Sequence, residues 1–487
     1  MPPGGKSRSV AGMRASAEET LAGSRGAYRP GSAYDEAFSQ DGSPRPLYAT
    51  LIDGLDGADL AGVAGGIAEH LHGREVTFGA EPAREFRIDA VPRLLDGKEW
   101  GGLERGLAQR ARALAAFVSD VYGDQEIVAA GHVPARVVES AAYYEPWVRG
   151  IEVPRQGYVL GPDLVRNADG VLRVLEDNIR TPSGLAYLLA ARTALDAQLP
   201  VVAPAVRRET SQVLAWLVET LRAAAPAAID DPRVAIVSDG PSNSAWYEHR
   251  ELARATGLAL FRPADLLVRG GRLHGRVDGG GAEPIDVVYR RTDEDRLRDH
   301  SGRPTWLAEL LLPPVRRGAL SVVNPLGAGV ADDKLAHAYV EEMVRFYLDE
   351  EPLLESVPTY DLGDGEVRDA VLPRLGELVV KPRGGLGGDG LVVCPHASEQ
   401  DRELIERRVV EDPEAWVAQE LVAISTHPTV CGGRLEPRHV DLRPFVIGGG
   451  SGARVVPGGL TRVAFGAGSL VVNSSQNGGA KDTWVLA

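Results

Sequence analysis

Asp163, Glu176 and Asn178 stand at the ends of two short apolar runs in the string GPDLVRNADGVLRVLEDNIRTPSG. Asp163 precedes Leu164-Val165, Asn167-Ala168-Asp169-Gly170 turns the chain, and Val171, Leu172, Val174 and Leu175 lead to Glu176. That spacing predicts an antiparallel hairpin. Such a hairpin sets Asp163 beside Glu176, while Glu176 and Asn178, two apart, point to one face. Two carboxylates and an amide oxygen are hard ligands of the kind Mg²⁺ takes. A hairpin with a solvated polar end is the alternative reading of the same residues.

The far half of the chain supplies the complementary charge. Glu377-Leu378-Val379-Val380-Lys381-Pro382-Arg383 predicts a strand that enters a loop with five glycines in residues 384–390, among them Gly384, Gly385, Gly387 and Gly388. Glycines let backbone N–H groups turn toward a phosphate chain, and Lys381 at the strand end adds a cation. No Gly-Lys-Ser/Thr opens a helix, so this is not a Walker loop; a plain glycine hairpin is the alternative. Trp416–Val422 predicts a further apolar strand carrying two polar residues, which could supply groups for the edge of an adenine.

These residues together resemble an ATP-grasp enzyme: Asp332-Asp333-Lys334 opening a helix, Val380-Lys381-Pro382 before a glycine loop, a Gln-Glu-Leu-Val hinge, and the D…ExN metal motif. The metal motif ordinarily comes last, whereas here it precedes the glycine loop by roughly two hundred residues, so the order is circularly permuted. The chain is similar to circularly permuted ATP-grasp (type 2) proteins related in fold to the glutathionylspermidine synthase-like ligases. Supporting strings are RIDAVPRLLDGKEW, QRARALAAFVSDVYG, LEDNIRTPSGLAY, residues 327–334, HVDLRPFVIGG and VVNSSQNGGAKDTW. The resemblance implies an α/β (α+β) permuted ATP-grasp fold with a Rossmann-like pre-ATP-grasp domain and an N-terminal helical extension. It also implies ATP and Mg²⁺ as cofactors. Lys334, Lys381, Arg383, the loop glycines, Gln419, Glu420 and Val422 would bind ATP; Asp163, Glu176 and Asn178 would hold the metal. In the unpermuted order, the segment Asn473–Gly479 would run into the Asp163 strand, so the two regions should be neighbours.

Five regions position these groups. Residues 1–33, rich in Gly, Ser, Pro and Arg, read as a disordered tail, with order beginning near Tyr34. Residues 34–150 form a largely helical region, whose Leu103, Leu107, Ala111, Leu114, Val118 and Val121 repeat at helical spacing. Residues 151–230 carry the permuted metal-binding part, with helices over Ala186–Leu195 and Glu209–Ala224. Residues 231–325 read as the Rossmann-like unit: a strand at Val234–Val237, a helix at Trp246–Thr256, and a strand Ile285–Tyr289 ending before Arg290-Arg291. Residues 326–487 hold the nucleotide-binding lobes, where Leu335, Tyr339, Met343 and Phe346 mark one helix after Lys334.

Composition narrows the function. With 44% apolar and 25% charged residues the chain is globular. A formal charge of −15 opposes sequence-independent nucleic-acid binding, so local cations must be gathered for ATP. No apolar run reaches bilayer length and the N-terminus lacks a secretory apolar block, which predicts a cytoplasmic protein without membrane partners. The two cysteines, Cys394 and Cys431, have no disulfide or metal spacing, and the histidines have no zinc spacing. His427, after the hinge, reads as a solvated side chain or a ribose contact.

The resemblance implies an ATP- and Mg²⁺-dependent carboxylate–amine ligase of peptide type, working through an acyl phosphate on small-molecule or peptide carboxylate and amine substrates. Alternatives are a phosphotransferase without ligation and a catalytically silent nucleotide-binding scaffold. Arg180, Arg290, Arg443 and Arg462 are candidates for stabilising the transferred phosphoryl group. Relatives with an arginine just before the first metal carboxylate differ from this chain, which has Gly161-Pro162. Ser183-Gly184 matches a substrate-carboxylate loop, and Ser242-Asn243 precedes a helix N-terminus that could hold a second carboxylate.

Overall fold

The computed structural model describes residues 28–152, 157–199, 206–385, 390–466, 468–469 and 478–487. Strand β1 (Arg93–Leu95) leads into helix α1 (Gly97–Tyr122), whose first amides at Lys98 and Glu99 donate to the Asp96 carboxylate. The α1 stripe of Trp100, Leu103, Leu107, Leu114 and Val118 is buried. Strands β2 (Asp163–Arg166) and β3 (Leu172–Glu176) form the hairpin, with Asp163 in register with Glu176. Its turn is fixed locally: Asn167 Oδ1 accepts from the Asp169 and Val171 amides, and Gly170 takes φ +79°, where a Cβ would be disfavoured.

Helix α2 (Leu185–Gln198) follows, then α3 (Val213–Ala223), which starts four residues later than expected; Pro200 and Pro204 lie outside the described residues. Next come β4 (Val234–Ser238), α4 (Trp246–Thr256), β5 (Ala259–Phe261), β6 (Val287–Arg291) and β7 (Ser321–Val323). Their sheet is all parallel in the order β7-β6-β4-β5. Arg290 and Arg291 lie inside β6 rather than beyond its end, because the pairing with β4 continues to Arg291 and Ser238. The helix expected after Lys334 is two: α5 (Lys334–His337) and α6 (Val340–Leu348). Tyr339 breaks it at φ −110°, ψ 7°, while its hydroxyl donates to Asp361 Oδ2 at 2.6 Å.

The next unit contains β8 (Thr359–Asp361), β9 (Leu378–Pro382), β10 (Val392–Val393), α7 (Glu399–Glu411) and β11 (Trp416–Glu420). Its antiparallel sheet runs β8-β11-β9-β10. The last strands are β12 (Thr426–Cys431), β13 (Arg434–Arg443), β14 (Leu460–Val463), β15 (Gly479–Lys481) and β16 (Thr483–Val485). One sheet runs β15-β14-β13-β2-β3, with β12 paired to β13, so the early hairpin is the edge of a sheet built from the chain's end. β15 and β2 share this sheet with two strands between them; residues 470–477, part of the expected junction, lie outside the described residues.

The hairpin is joined to both neighbours. Val174 donates its amide to the Glu355 carbonyl at 3.0 Å and accepts from Val357 at 2.8 Å, which brings β3 to the segment leading into β8. At the other end, Glu36 accepts from Arg93 Nε at 2.8 Å and Nη2 at 2.6 Å, with Arg166 Nε at 3.4 Å. Packing begins before Tyr34, correcting the expected limit of the tail: Tyr28 is buried against Phe38 and donates its hydroxyl to Asp35. Residues 1–27 lie outside the described residues. Among those described, no helix is long and apolar enough to cross a membrane.

Candidate active site

Asp163, buried at the start of β2, faces Glu176 at the end of β3. Burial would raise the Asp163 carboxyl, but the Arg443 and Arg462 guanidiniums outweigh it and hold the group well below the carboxylate range. Arg443 donates from Nε to Oδ1 at 2.6 Å and from Nη2 to Oδ2 at 2.7 Å; Arg462 Nη2 lies 2.8 Å from Oδ2. Gly161 makes room for this approach, since a Cβ there would stand 3.4 Å from Arg443 Cδ and 2.8 Å from Pro182 Cβ. Arg443 from β13 therefore supplies the guanidinium at Asp163 that the Gly161-Pro162 sequence does not.

Glu176 is raised by burial and then by Asp163, against the pull of Lys334 and Lys381. Oxygen groups from the early hairpin and lysines from the far half thus meet at one place. Lys381 is lowered to about 8 by burial, opposed first by Glu176. Asn178 Nδ2 donates to the Gly161 carbonyl at 3.1 Å, which leaves its Oδ1 for another partner. Crowded carboxylates and an amide oxygen without a partner among the described residues suit a hard cation. Glu176 and Asn178 fit Mg²⁺ on this ground. Asp163, with one guanidinium donor on Oδ1, two on Oδ2 and a hydrogen bond with Glu176, is more fully engaged than either.

Glu176, Asn178, Arg180, Lys334, Gly384 and Gly385 line one cleft of about 40 Å³, with Tyr143, Asp177, Asp332, Asp333 and Arg383. That space holds about one water, and Lys334 Nζ donates across it to the Gly385 carbonyl. Gly387 and Gly388 lie outside the described residues. A larger hollow of about 810 Å³ lies between Arg149 and Arg316, but no carboxylate–lysine pair of the kind above lines it.

Several expected contacts fall elsewhere. Gln419 and Glu420 do not share a face, because consecutive strand residues alternate. Gln419 is buried, accepting from Lys381 Nζ and donating to the Leu175 carbonyl at 3.1 Å and to Thr359 Oγ1 at 2.8 Å. Glu420 instead accepts from the Tyr360 hydroxyl at 2.6 Å and pairs with Arg374 at 3.0 Å. Val422 follows β11 and is half-buried. Arg383, which also lines the cleft, donates to Asp333, Ser140 Oγ and the Val137 and Glu414 carbonyls.

The two expected carboxylate sites are also occupied by the protein itself. Glu248 Oε2 accepts from the Gly184 and Ala186 amides at 2.8 and 2.9 Å, and Ser183 Oγ accepts from Arg291 Nη2 at 2.7 Å. Asn243 Nδ2 donates to Asp239 at 3.2 Å and Asp293 at 2.9 Å, an acidic setting that repels a substrate carboxylate; Ser242 Oγ donates to the Asp239 carbonyl. Arg290 donates to the Thr292 and Glu294 carbonyls. His427 is neither solvated nor free for ribose: it is buried, with Nε2 3.1 Å from the Tyr48 hydroxyl.

The sequence reading missed Asp332, Asp295, Tyr143, Glu248 and Arg291. Asp332 belongs to the Asp332-Asp333-Lys334 string that opens the helix. Asp177, which lines the cleft beside Glu176 and Asn178, accepts from Arg110 Nε at 2.6 Å and Nη2 at 2.7 Å and sits 2.7 Å from His337 Nδ1.

A permuted ATP-grasp fold with buried carboxylates facing lysines defines the class. The chain belongs to the circularly permuted ATP-grasp type 2 family, whose model matches residues 92–464. An uncharacterised protein of Synechocystis sp. is 41% identical over 94% of this chain and 98% of its own length. One from Mycobacterium tuberculosis is 39% identical over 93% of this chain and 84% of its own length. A Frankia alni protein with a provisional glutamate–cysteine ligase name is 42% identical over 100% of this chain, which spans only 57% of that protein. A solved glutathione synthetase-like effector of Globodera pallida shares the fold at TM-score 0.57 and 12% identity, over 88% of this chain and 97% of its own.

Proposed function

We propose that the chain is an ATP- and Mg²⁺-dependent carboxylate–amine ligase that forms an amide through an acyl phosphate. The observation that carries this reading is the meeting of Glu176 with Lys334 and Lys381 across the two lobes. Lys334, Lys381 and the Gly384 and Gly385 backbone would lie along the phosphates; Glu176 and Asn178, beside Asp163, would hold the metal. Mg²⁺, when bound, supplies charge neutralisation at the phosphate oxygens.

A substrate carboxylate oxygen bonds to the γ-phosphorus as the bond to the bridging oxygen breaks, and that electron pair leaves on ADP. An amine then attacks the acyl carbon, loses a proton and expels inorganic phosphate. Positioning and charge neutralisation drive the first step, so no protein nucleophile is required. Ligase and synthetase names among the similar proteins run in the same direction, although the Frankia name belongs to a protein of which this chain spans little more than half. ADP and phosphate release that needs both a carboxylate and an amine, abolished in Asp163→Ala and Lys381→Ala, tests the reading. AMP and pyrophosphate as products would contradict it, and a stable phosphorylated product would mean phosphotransfer alone.

A further inference from the structure

We propose that Arg180 is the arginine that meets the transferred phosphoryl group, with Asp332, Asp295 and Tyr143 as the residues that position it. The proposal rests on the phosphoryl-transfer reading of the cleft. Of the four candidate arginines, Arg443 binds Asp163 through Nε and Nη2 and approaches the Ser183 carbonyl at 3.3 Å through Nη1. Arg462 is buried on Asp441 and Asp163, and Arg290 is tied to the carbonyls of its own loop. Only Arg180 among the four lines the cleft with Glu176, Asn178 and Lys334.

Its guanidinium is held on three sides. Nε donates to Asp332 Oδ2 at 2.8 Å, Nη1 donates to Asp295 Oδ2 at 2.7 Å, and the carbon of the group lies 3.9 Å from the Tyr143 ring centre. Because the group is planar and rigid, fixing Nε, Nη1 and the plane also fixes Nη2. Nη2 has no partner among the described residues. A donor held in place before charge develops needs no reorganisation when the phosphoryl oxygens spread their charge. Arg180 donates hydrogen bonds there and transfers no proton.

The backbone is aligned with the same group. Asp332 Oδ1 accepts from the Ile179 and Arg180 amides, so one carboxylate fixes both main chain and side chain. Its neighbour Asp333 pairs with Arg383 and caps α5 through the Leu335 amide, and Lys334 points across the cleft. Three successive residues therefore register three cations. Gly329, on the turn before them, leaves the space: a Cβ would stand 2.5 Å from Tyr143 Cβ and 2.7 Å from Arg180 Cδ.

The test compares binding of Mg·ADP with binding of Mg·ADP plus aluminium fluoride, a mimic of the transferring phosphoryl group, by calorimetry on the full chain. Wild type should bind the mimic more tightly than ADP. Arg180→Ala and Arg180→Lys should remove about 100-fold of that gain while ADP affinity stays within about three-fold. Gly329→Ala, whose Cβ would displace Tyr143 and Arg180, and Asp295→Asn, which weakens the hold on Nη1, should each remove about ten-fold. A merely structural role would weaken both ligands alike. An unchanged mimic-to-ADP ratio in both Arg180 variants overturns the assignment, and a wild type with no gain for the mimic overturns the phosphoryl-transfer reading together with it.

Discussion

Strand β2 has a charged residue at each end, and the two ends differ in what their charges have left to offer. At one end Arg166 bonds Glu99 at 2.6 Å and lies 3.4 Å from Glu36, which also accepts from Arg93 and from Ser425 Oγ. Glu36 and Arg93 are buried, and both Glu36 oxygens have donors. At the other end, Asp163 is equally buried, but Glu176, the Asn178 Oδ1 and Arg180 Nη2 keep unused bonding capacity beside a cleft. A charge cluster whose buried carboxylate oxygens all have donors joins segments of the chain, whereas one with oxygens left over can receive a ligand.

Breaking the cleft end should have the largest effect on chemistry and the smallest on folding. Lys381→Ala and Glu176→Ala should each lower ATP turnover about 1000-fold, about 4 kcal/mol, with a melting profile close to wild type. Breaking the other end should do the reverse. Glu36→Ala leaves Arg93 buried without its partner and should destabilise by about 3–5 kcal/mol, read from the denaturant midpoint.

Two carboxylates with opposite shifts sharpen the comparison by pH. Burial raises Glu36, but Arg93 and Arg166 outweigh it and lower the group from 4.5 to about 2. Its stabilisation is therefore present above pH 4.5 and lost as pH falls through about 2. Glu145 is raised by burial from 4.5 to about 7, with the Leu297 amide opposing. Its contribution is present below 4.5 and lost as pH rises through about 7. Stability measured from pH 2 to 8 should show a smaller acid-side decline in Glu36→Gln and a smaller neutral-side decline in Glu145→Gln than in wild type.

The smallest effects separate the two faces of β11. Gln419→Ala, which frees Lys381, should weaken ATP binding about ten-fold, or about 1.4 kcal/mol. Glu420→Ala, on the opposite face with a half-exposed ion pair, should change it by less than about two-fold.

Local periodicity made much of this legible. The hairpin register, the α1 stripe and the parallel unit follow from apolar spacing and turn residues near in sequence, and the family motifs named Lys334, Lys381, Asp163, Glu176 and Asn178. The partners of these residues were not legible. That Glu248 fills the Gly184 turn, that Asp239 and Asp293 surround Asn243, and that Asp163 takes two arginines from β13 and β14 depend on segments distant in sequence. Gln419 and Glu420 could have been separated from sequence alone, since strand alternation forbids their sharing an adenine edge.

A crystal structure with Mg²⁺ and a non-hydrolysable ATP analogue tests the central claim most directly. One triphosphate should touch Lys334 and Lys381, with the metal on Glu176 and Asn178. A nucleotide bound away from that cleft, or held by the lysines with the hairpin oxygens out of reach, would contradict it.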